Sequence, residues 1–327
     1  MMFQGKTILV TGGAGSFGQK FTEIILKEYN PGVVRIFDNN ELALVEMERR
    51  FADSRIRFFL GDVRDRSRLE RAMADVDIVV HAAALKHIPV CEYNPIEAVR
   101  TNIEGAVNVI DAAIDQGVSL VMNIGTDKSV QSANLYGATK MVAERLFVQG
   151  NVYGARKNVR LSSARYGNVI ASSGSVIPLF VEQRKTGEIT LTDERMTRFW
   201  ISLDEGIRFV IKCIERMHGG EVFVPKVASM KLLDLAQTIA PEAKVKIVGI
   251  RPGEKLHETL ITEEEARRTK ETEDMYVITP EFSFWKEENW KEGKLVPADF
   301  SYRSDHNERI ITKEDMKNLL DEMEHRA

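Results

Sequence analysis

The stretch Thr7-Ile8-Leu9-Val10-Thr11-Gly12-Gly13-Ala14-Gly15-Ser16-Phe17-Gly18 leaves a chain few ways to fold. An unbroken apolar, β-branched run suits a strand buried on both faces. Gly12, Gly15 and Gly18 follow at three-residue spacing and open into a helical pattern from Phe17 to Tyr29. A second apolar run, Val33-Val34-Arg35-Ile36-Phe37, then ends on Asp38. Small residues in such a turn let the backbone approach a pyrophosphate, and the helix N-terminus stabilises its charge. Ser16 and Phe17 sit at that helix start. A glycine turn alone is weak evidence. Its place between strand and helix, with an acid about 20 residues further on, marks a dinucleotide site.

The alternation continues. A helical segment at 41–51 leads to a strand at Ile56–Leu60, a fourth strand spans Val76–Val80, and a long helix covers about 96–116. Strands at Leu120–Ile124 and Val159–Ala164 complete the series. Strand and helix alternating over short connections predict an α/β fold with a doubly wound parallel sheet, the Rossmann arrangement. After Tyr166 the pattern changes: residues 167–200 are richer in Gly, Ser, Thr and Pro, as loops over a ligand would be. A helix at 203–217 and the strand Glu221–Val224 are expected to return to the main sheet. From Ser229 onward the chain reads as a smaller lobe, with helices near 231–239, 263–268 and 312–325. The expected division is therefore a dinucleotide-binding domain over 1–165, rejoined by 203–225, and a smaller C-terminal α/β substrate lobe with a cap over 166–327.

Composition excludes several classes. A net charge of −4 over 327 residues gives no global attraction to nucleic acid or an anionic membrane surface. Cys91 and Cys213 provide neither a disulfide framework nor zinc spacing, so a reducing compartment and no metal are expected. The N-terminus runs straight into a strand without room for a signal peptide, and no apolar run reaches membrane-spanning length. A soluble cytoplasmic protein is the expectation.

Chemistry is signalled by Thr126-Asp127-Lys128 and Tyr136-Gly137-Ala138-Thr139-Lys140. A Tyr and a Lys four apart lie one turn above each other on a helix, where the ammonium is expected to lower the phenol's pKa toward use as a base. Asp127 and Lys128 add a second acid and a second amine, as hydride transfer coupled to an elimination would need. Either pair alone is commonplace on amphipathic helices and solvated turns; their position after a nucleotide-binding half gives them weight. Asp38 suits the ribose hydroxyls and repels a 2′-phosphate, which favours NAD over NADP, with Arg35 the nearest residue that would reverse this. Gly61-Asp62-Val63 suits adenine contact, with a simple turn equally compatible for Asp62. Ala82, Ala83 and Ala84 supply small residues where a cofactor passes, and His81 before them reads as a packed histidine.

Taken in order, the glycine loop, His-Ala-Ala-Ala, Thr-Asp-Lys and Tyr-x-x-x-Lys resemble the extended short-chain dehydrogenase/reductase superfamily. Ala83-Ala84-Leu85-Lys86-His87-Ile88-Pro89, Arg165-Tyr166-Gly167-Asn168-Val169, Arg195-Met196-Thr197-Arg198-Phe199-Trp200 and Ile250-Arg251-Pro252-Gly253-Glu254-Lys255-Leu256-His257-Glu258 narrow it. They are similar to the nucleotide-sugar 4,6-dehydratases, above all the soluble inverting UDP-N-acetylglucosamine branch that begins pseudaminic acid synthesis. Tyr136 separates this branch from membrane-anchored retaining relatives, which typically carry methionine there. The resemblance implies NADP, where this chain's own residues point to NAD, together with a UDP-sugar substrate and a homo-oligomer; a returned hydride would keep the NAD(P) tightly held. It also implies Tyr136 as the base at the C4 hydroxyl, Lys128 as the base at C5 and Asp127 as the acid at C6. Thr126 is then expected near O4, Lys86 near the sugar, and Asn168, Arg198, Arg251 and Glu254 at the UDP end. Two positions depart from the family: Gly125 replaces a serine, and Phe37-Asp38-Asn39-Asn40 replaces a Ser-Arg-Asp sequence that suits NADP. Rival readings are a nucleotide-sugar 4-epimerase and a non-catalytic NAD(P) sensor.

Overall fold

Strands buried on both faces build the protein around one large sheet. The structure is a computed structural model and describes residues 2–154, 157–170, 175–282 and 290–324. Strands β1 (Thr7–Thr11), β2 (Val33–Asp38), β3 (Ile56–Leu60), β4 (Ile78–His81), β5 (Leu120–Ile124) and β6 (Arg160–Ala164) lie parallel in the order β3-β2-β1-β4-β5-β6. Ile8, Val10, Val34, Ile36, Ile78 and Val80 face one core, while Leu9, Phe37, Val79 and Val121 face a second on the other side. This two-sided burial is why the strands read as unbroken apolar runs. Each such side chain contributes roughly 1.5–3 kcal/mol when fully buried.

Val222–Pro225 joins parallel to β6. Beyond it, Met275–Ile278, Thr269–Glu271 and Lys294–Leu295 add antiparallel strands, giving ten in all. These last three come from the segment that a boundary at residue 166 assigns to the substrate lobe. The chain thus returns to the large sheet more than once after residue 166. The lobe itself holds a three-stranded sheet of Ala228–Lys231, Thr197–Ile201 and Asn168–Val169. Phe180, Ile189, Leu191, Trp200 and Leu235 form a separate core there. Among the described residues, no helix is long and apolar enough to cross a membrane.

The strand order reverses between β1 and β4, and a crevice opens at the carboxyl ends of the strands at such a point. Helix α1 (Ser16–Glu28) starts at its rim and packs Phe21, Ile24 and Ile25 onto the sheet. The expected helix over 96–116 is broken: Pro95–Val99 and Gly105–Gln116 are joined by a π-helical turn, Arg100–Glu104. The irregular turn carries Asn102 inward. Its side chain accepts from Leu85 N at 2.8 Å and donates to Leu85 O and Thr139 Oγ1, both at 2.9 Å. One buried amide therefore ties the loop after β4 to the helix that carries Tyr136 and Lys140.

Close approach explains two of the glycines. A Cβ on Gly12 would lie 2.8 Å from the Ala83 backbone, and one on Gly18 would lie 2.3 Å from Gly13 O. Gly18→Ala is expected to push α1 off the turn and destabilise the protein by about 1–3 kcal/mol or more. Chemical denaturation measures this; an unchanged midpoint would contradict the packing assigned to α1.

Candidate active site

A cleft of 620 Å³ runs along the carboxyl ends of the parallel strands. Gly12, Gly15, Ser16 and Phe17 line it, and α1 opens there at Gly15 without a side-chain cap. Gly18, expected with them, is not on the wall; it serves the helix packing described above. Asp38 braces the glycine loop: Oδ2 accepts from Ala14 N and Oδ1 from Asn40 N, each at 3.0 Å. Val63, Ala82, Ala83 and Ala84 are on the wall. Asp62 lines it too, in a fork with Arg64 at 2.6 and 3.0 Å, and its Oδ1 accepts from Arg64 N at 2.9 Å as a turn residue does. Arg35 points elsewhere, donating to Ala72 O and Ala74 O at 2.7 and 2.6 Å. A slot this close to backbone, with an open helix start at one end and a carboxylate beside it, fits a dinucleotide. His81 is fully buried, stacked on Phe147, with Nδ1 hydrogen-bonded to Thr11 Oγ1 at 2.7 Å.

Helix Leu135–Gln149 carries Tyr136 and Lys140 on the cleft wall, and Asn134 caps it by accepting from Gly137 N at 2.8 Å. Burial dominates here. It raises the Tyr136 phenol to about 12, although Lys128 and a hydrogen bond with Thr126 pull the other way. The same burial lowers Lys140 to about 8, against the opposing pull of Glu144. The expectation that Lys140 depresses Tyr136 through helical adjacency is therefore corrected. Desolvation outweighs the neighbouring charge, and the cation acting on Tyr136 is Lys128.

Thr126 ends the extended run of β5 and caps the short 3₁₀ turn Asp127–Ser129. Asp127 is fully buried; its Oδ1 accepts from Thr126 Oγ1 at 3.0 Å and from Lys128 Nζ at 2.9 Å. Burial raises its pKa, and the nearby Glu258 adds to that while Lys128 opposes it. Lys128 differs from the expectation of a partly neutral amine. Burial works against its ammonium, but Asp127 and Glu258 outweigh that and hold its pKa above the usual lysine value. Gly125, where the family has serine, packs tightly, since a Cβ would lie 3.0 Å from Ala164 O.

A second cleft of 590 Å³ shares Ile88, Lys128, Asn168 and Ser175 with the first. Arg198, Arg251 and Glu254 line it, as a substrate site adjoining the dinucleotide slot requires. Lys86 is on the wall of the first. Two of these residues also have partners within the protein. Asn168, expected at the UDP end, lines both clefts and accepts from Lys128 Nζ at 2.9 Å. Arg198 spends its donors on the carbonyls of Thr197, Leu256 and Lys255 at 2.7–3.0 Å, so it tethers two segments instead of offering a free fork. Glu258 and Lys255 also reach this wall. Both were visible in the sequence as part of one motif, but nothing there indicated that Glu258 meets Lys128.

The comparisons with known proteins agree with this geometry. A family model described as polysaccharide biosynthesis protein matches residues 8–280. The chain belongs to that family. It is 46% identical to a Campylobacter jejuni protein named UDP-N-acetylglucosamine 4,6-dehydratase (inverting), with 99% of each chain covered. A Rickettsia canadensis protein named UDP-glucose 4-epimerase is 36% identical over 98% of this chain and 96% of its own. The crystal structure of Pen from Bacillus thuringiensis superposes with a TM-score of 0.90 at 38% identity, covering 99% of both chains.

The burial of Tyr136 has a spectroscopic consequence. In the ligand-free protein, the ultraviolet titration of wild type minus Y136F is expected to show no tyrosinate signal below a pH of about 10, the reference phenol value. A phenolate appearing near neutrality would contradict the dominance of desolvation.

Proposed function

We propose that the protein is a UDP-N-acetylglucosamine 4,6-dehydratase that inverts C5. The observation that carries this reading is the contact at 2.9 Å between buried Asp127 and Lys128, whose side chain lies on the wall shared by the dinucleotide slot and the second cleft. An epimerase acting at C4 has no use for an acid and a base beyond Tyr136. An elimination across C5–C6 needs both.

A nicotinamide held in the slot lined by Gly12, Gly15, Ser16 and Asp38 would supply the acceptor for the C4 hydride and the donor for its return to C6. The chain's residues handle the protons. Tyr136 takes the C4 hydroxyl proton, with Thr126 beside it, while Lys128 and Thr126 favour its phenolate. Lys140, with its pKa near 8, offers a second group that can gain or lose a proton close to neutrality. The resulting ketone acidifies the C5 hydrogen, which Lys128 removes as Asp127 protonates the departing C6 hydroxyl. Those roles require a neutral amine and a protonated carboxyl. One proton passing from the Lys128 ammonium to the Asp127 carboxylate across their contact creates both together. Burial assists, because it disfavours the ion pair relative to the neutral pair. Lys86 then faces the sugar, and Arg251 and Glu254 face the UDP moiety in the second cleft. A proton delivered to C5 on the face opposite its removal inverts that centre.

The cofactor we assign is NAD, held through the whole cycle. Asp38 at the end of β2 and the diversion of Arg35 to Ala72 O and Ala74 O support this choice over NADP. The resemblance of the chain to its relatives implied NADP.

The test is proton NMR of UDP-N-acetylglucosamine with the purified protein in deuterated water, without added cofactor. A C6 methyl signal, deuterium at C5 and L-arabino couplings are expected, and denaturation should release NAD. A sugar inverted at C4 without a methyl group would establish the epimerase instead. A methyl group with C5 unchanged would remove the inversion, and released NADP would overturn the role given to Asp38.

A further inference from the structure

Lys128 has three N–H donors, and three side chains lie around its Nζ. Asp127 Oδ1 and Asn168 Oδ1 each accept at 2.9 Å, and Glu258 Oε1 stands 3.5 Å away. The third is the least expected. Glu258 lies far along the chain from Lys128, on the segment that follows Arg198 in space, and is 3% exposed. A carboxylate buried so deeply needs cations, and it has them: Arg198 Nε at 3.7 Å and Lys255 Nζ at 3.5 Å, besides Lys128. Lys255 is itself anchored, donating to Val130 O at 2.6 Å. Arg198 is fixed by three backbone carbonyls. Glu258 is thus locked in place by groups that do not depend on Lys128.

Two carboxylates consequently share one lysine. Asp127 Oδ2 and Glu258 Oε2 are both buried without a hydrogen-bond partner. Like charges in a dry site cannot both ionise cheaply, and the one with more cations keeps its charge. Glu258 faces three cations, and they outweigh its burial and lower its pKa. Asp127 faces Lys128 alone among cations, with Thr126 donating to it and Tyr136 nearby.

We propose that Glu258 is a positioning residue of the elimination: a fixed anion that seats Lys128 against Asp127 and keeps the one proton they exchange within the pair. The proposal rests on the dehydratase reading and adds to it the group that decides which carboxylate is the acid. A negative charge facing the pair favours the proton on both members, on the Lys128 ammonium and on the Asp127 carboxyl. Removing it should lower both proton affinities together. Tyr136, Arg198 and Lys255, the other charged or titratable neighbours, stay in place, so the direction of the shift is set by Glu258.

The experiment is the pH profile of product formation at saturating UDP-N-acetylglucosamine for wild type, E258Q and E258D. In E258Q both limbs of the profile are expected to move to lower pH by about one unit or more, the usual effect of a charge at this range. In E258D, which keeps the charge but withdraws it, the limbs should fall between those of wild type and E258Q. If E258Q does not fold, as judged by circular dichroism, the shift in E258D alone decides. A folded variant with lower kcat but unmoved limbs would overturn the proposal and leave Glu258 as a structural bridge. A wild type that yields no 6-deoxy-4-keto sugar would be a failure of the dehydratase reading, visible before any variant is made.

Discussion

The ammonium of Lys128 is the point at which three distant parts of the chain are held together. Asp127 comes from the end of β5, Asn168 from the first strand of the smaller sheet, and Glu258 from the segment below it. Asp127 and Glu258 are both buried carboxylates, so each is left without this cation if Lys128 is removed. Its surroundings reinforce the same junction. Lys255 donates to Val130 O, and Asn134 Nδ2 donates to Gly253 O at 2.8 Å, strapping the C-terminal segment to the loop between β5 and the Tyr136 helix. The cleft for the dinucleotide and the cleft for the substrate therefore share a wall because their charges share partners.

Burial then assigns the roles. Much of this wall is shielded from water, and the charged form of each buried group is disfavoured there. The effect raises Asp127 and Tyr136 and lowers Lys140. Lys128 escapes only because two carboxylates face it. The outcome is one amine near its titration point and one ammonium next to a carboxylate whose raised proton affinity lets it take that ammonium's proton. That is a set suited to moving several protons in one turnover.

Much of the scaffold was legible in the sequence. The strands at 56–60 and 120–124 and the helix at 41–51 fall where apolar runs and punctuation placed them, because local pattern and tertiary burial agree there. The long helix at 96–116 was not, because the inward demand of Asn102 introduces a π-helical turn that leaves no periodic signature. The helix Val176–Arg184 was also missed within a stretch that composition marks as loop. In the site, Tyr136, Lys140, Asp127 and Lys128 could be named from motif order, yet their proton affinities could not. Helical adjacency suggested a charge effect on Tyr136, and only packing reveals that desolvation exceeds it. The contacts of Asn168 and Glu258 with Lys128 are long-range and cannot be expressed by spacing.

The most direct measurement of the central claim is a single-turnover experiment on D127N with UDP-N-acetylglucosamine, following reduced nicotinamide absorbance and the C6 methyl signal together. If Asp127 serves the elimination and Tyr136 the oxidation, the absorbance rises and persists. The methyl signal should meanwhile slow by roughly 10²–10⁴-fold, the usual worth of a general acid. Dehydration by D127N at the wild-type rate, or loss of C4 oxidation in a folded variant, would contradict the division of labour built on this wall.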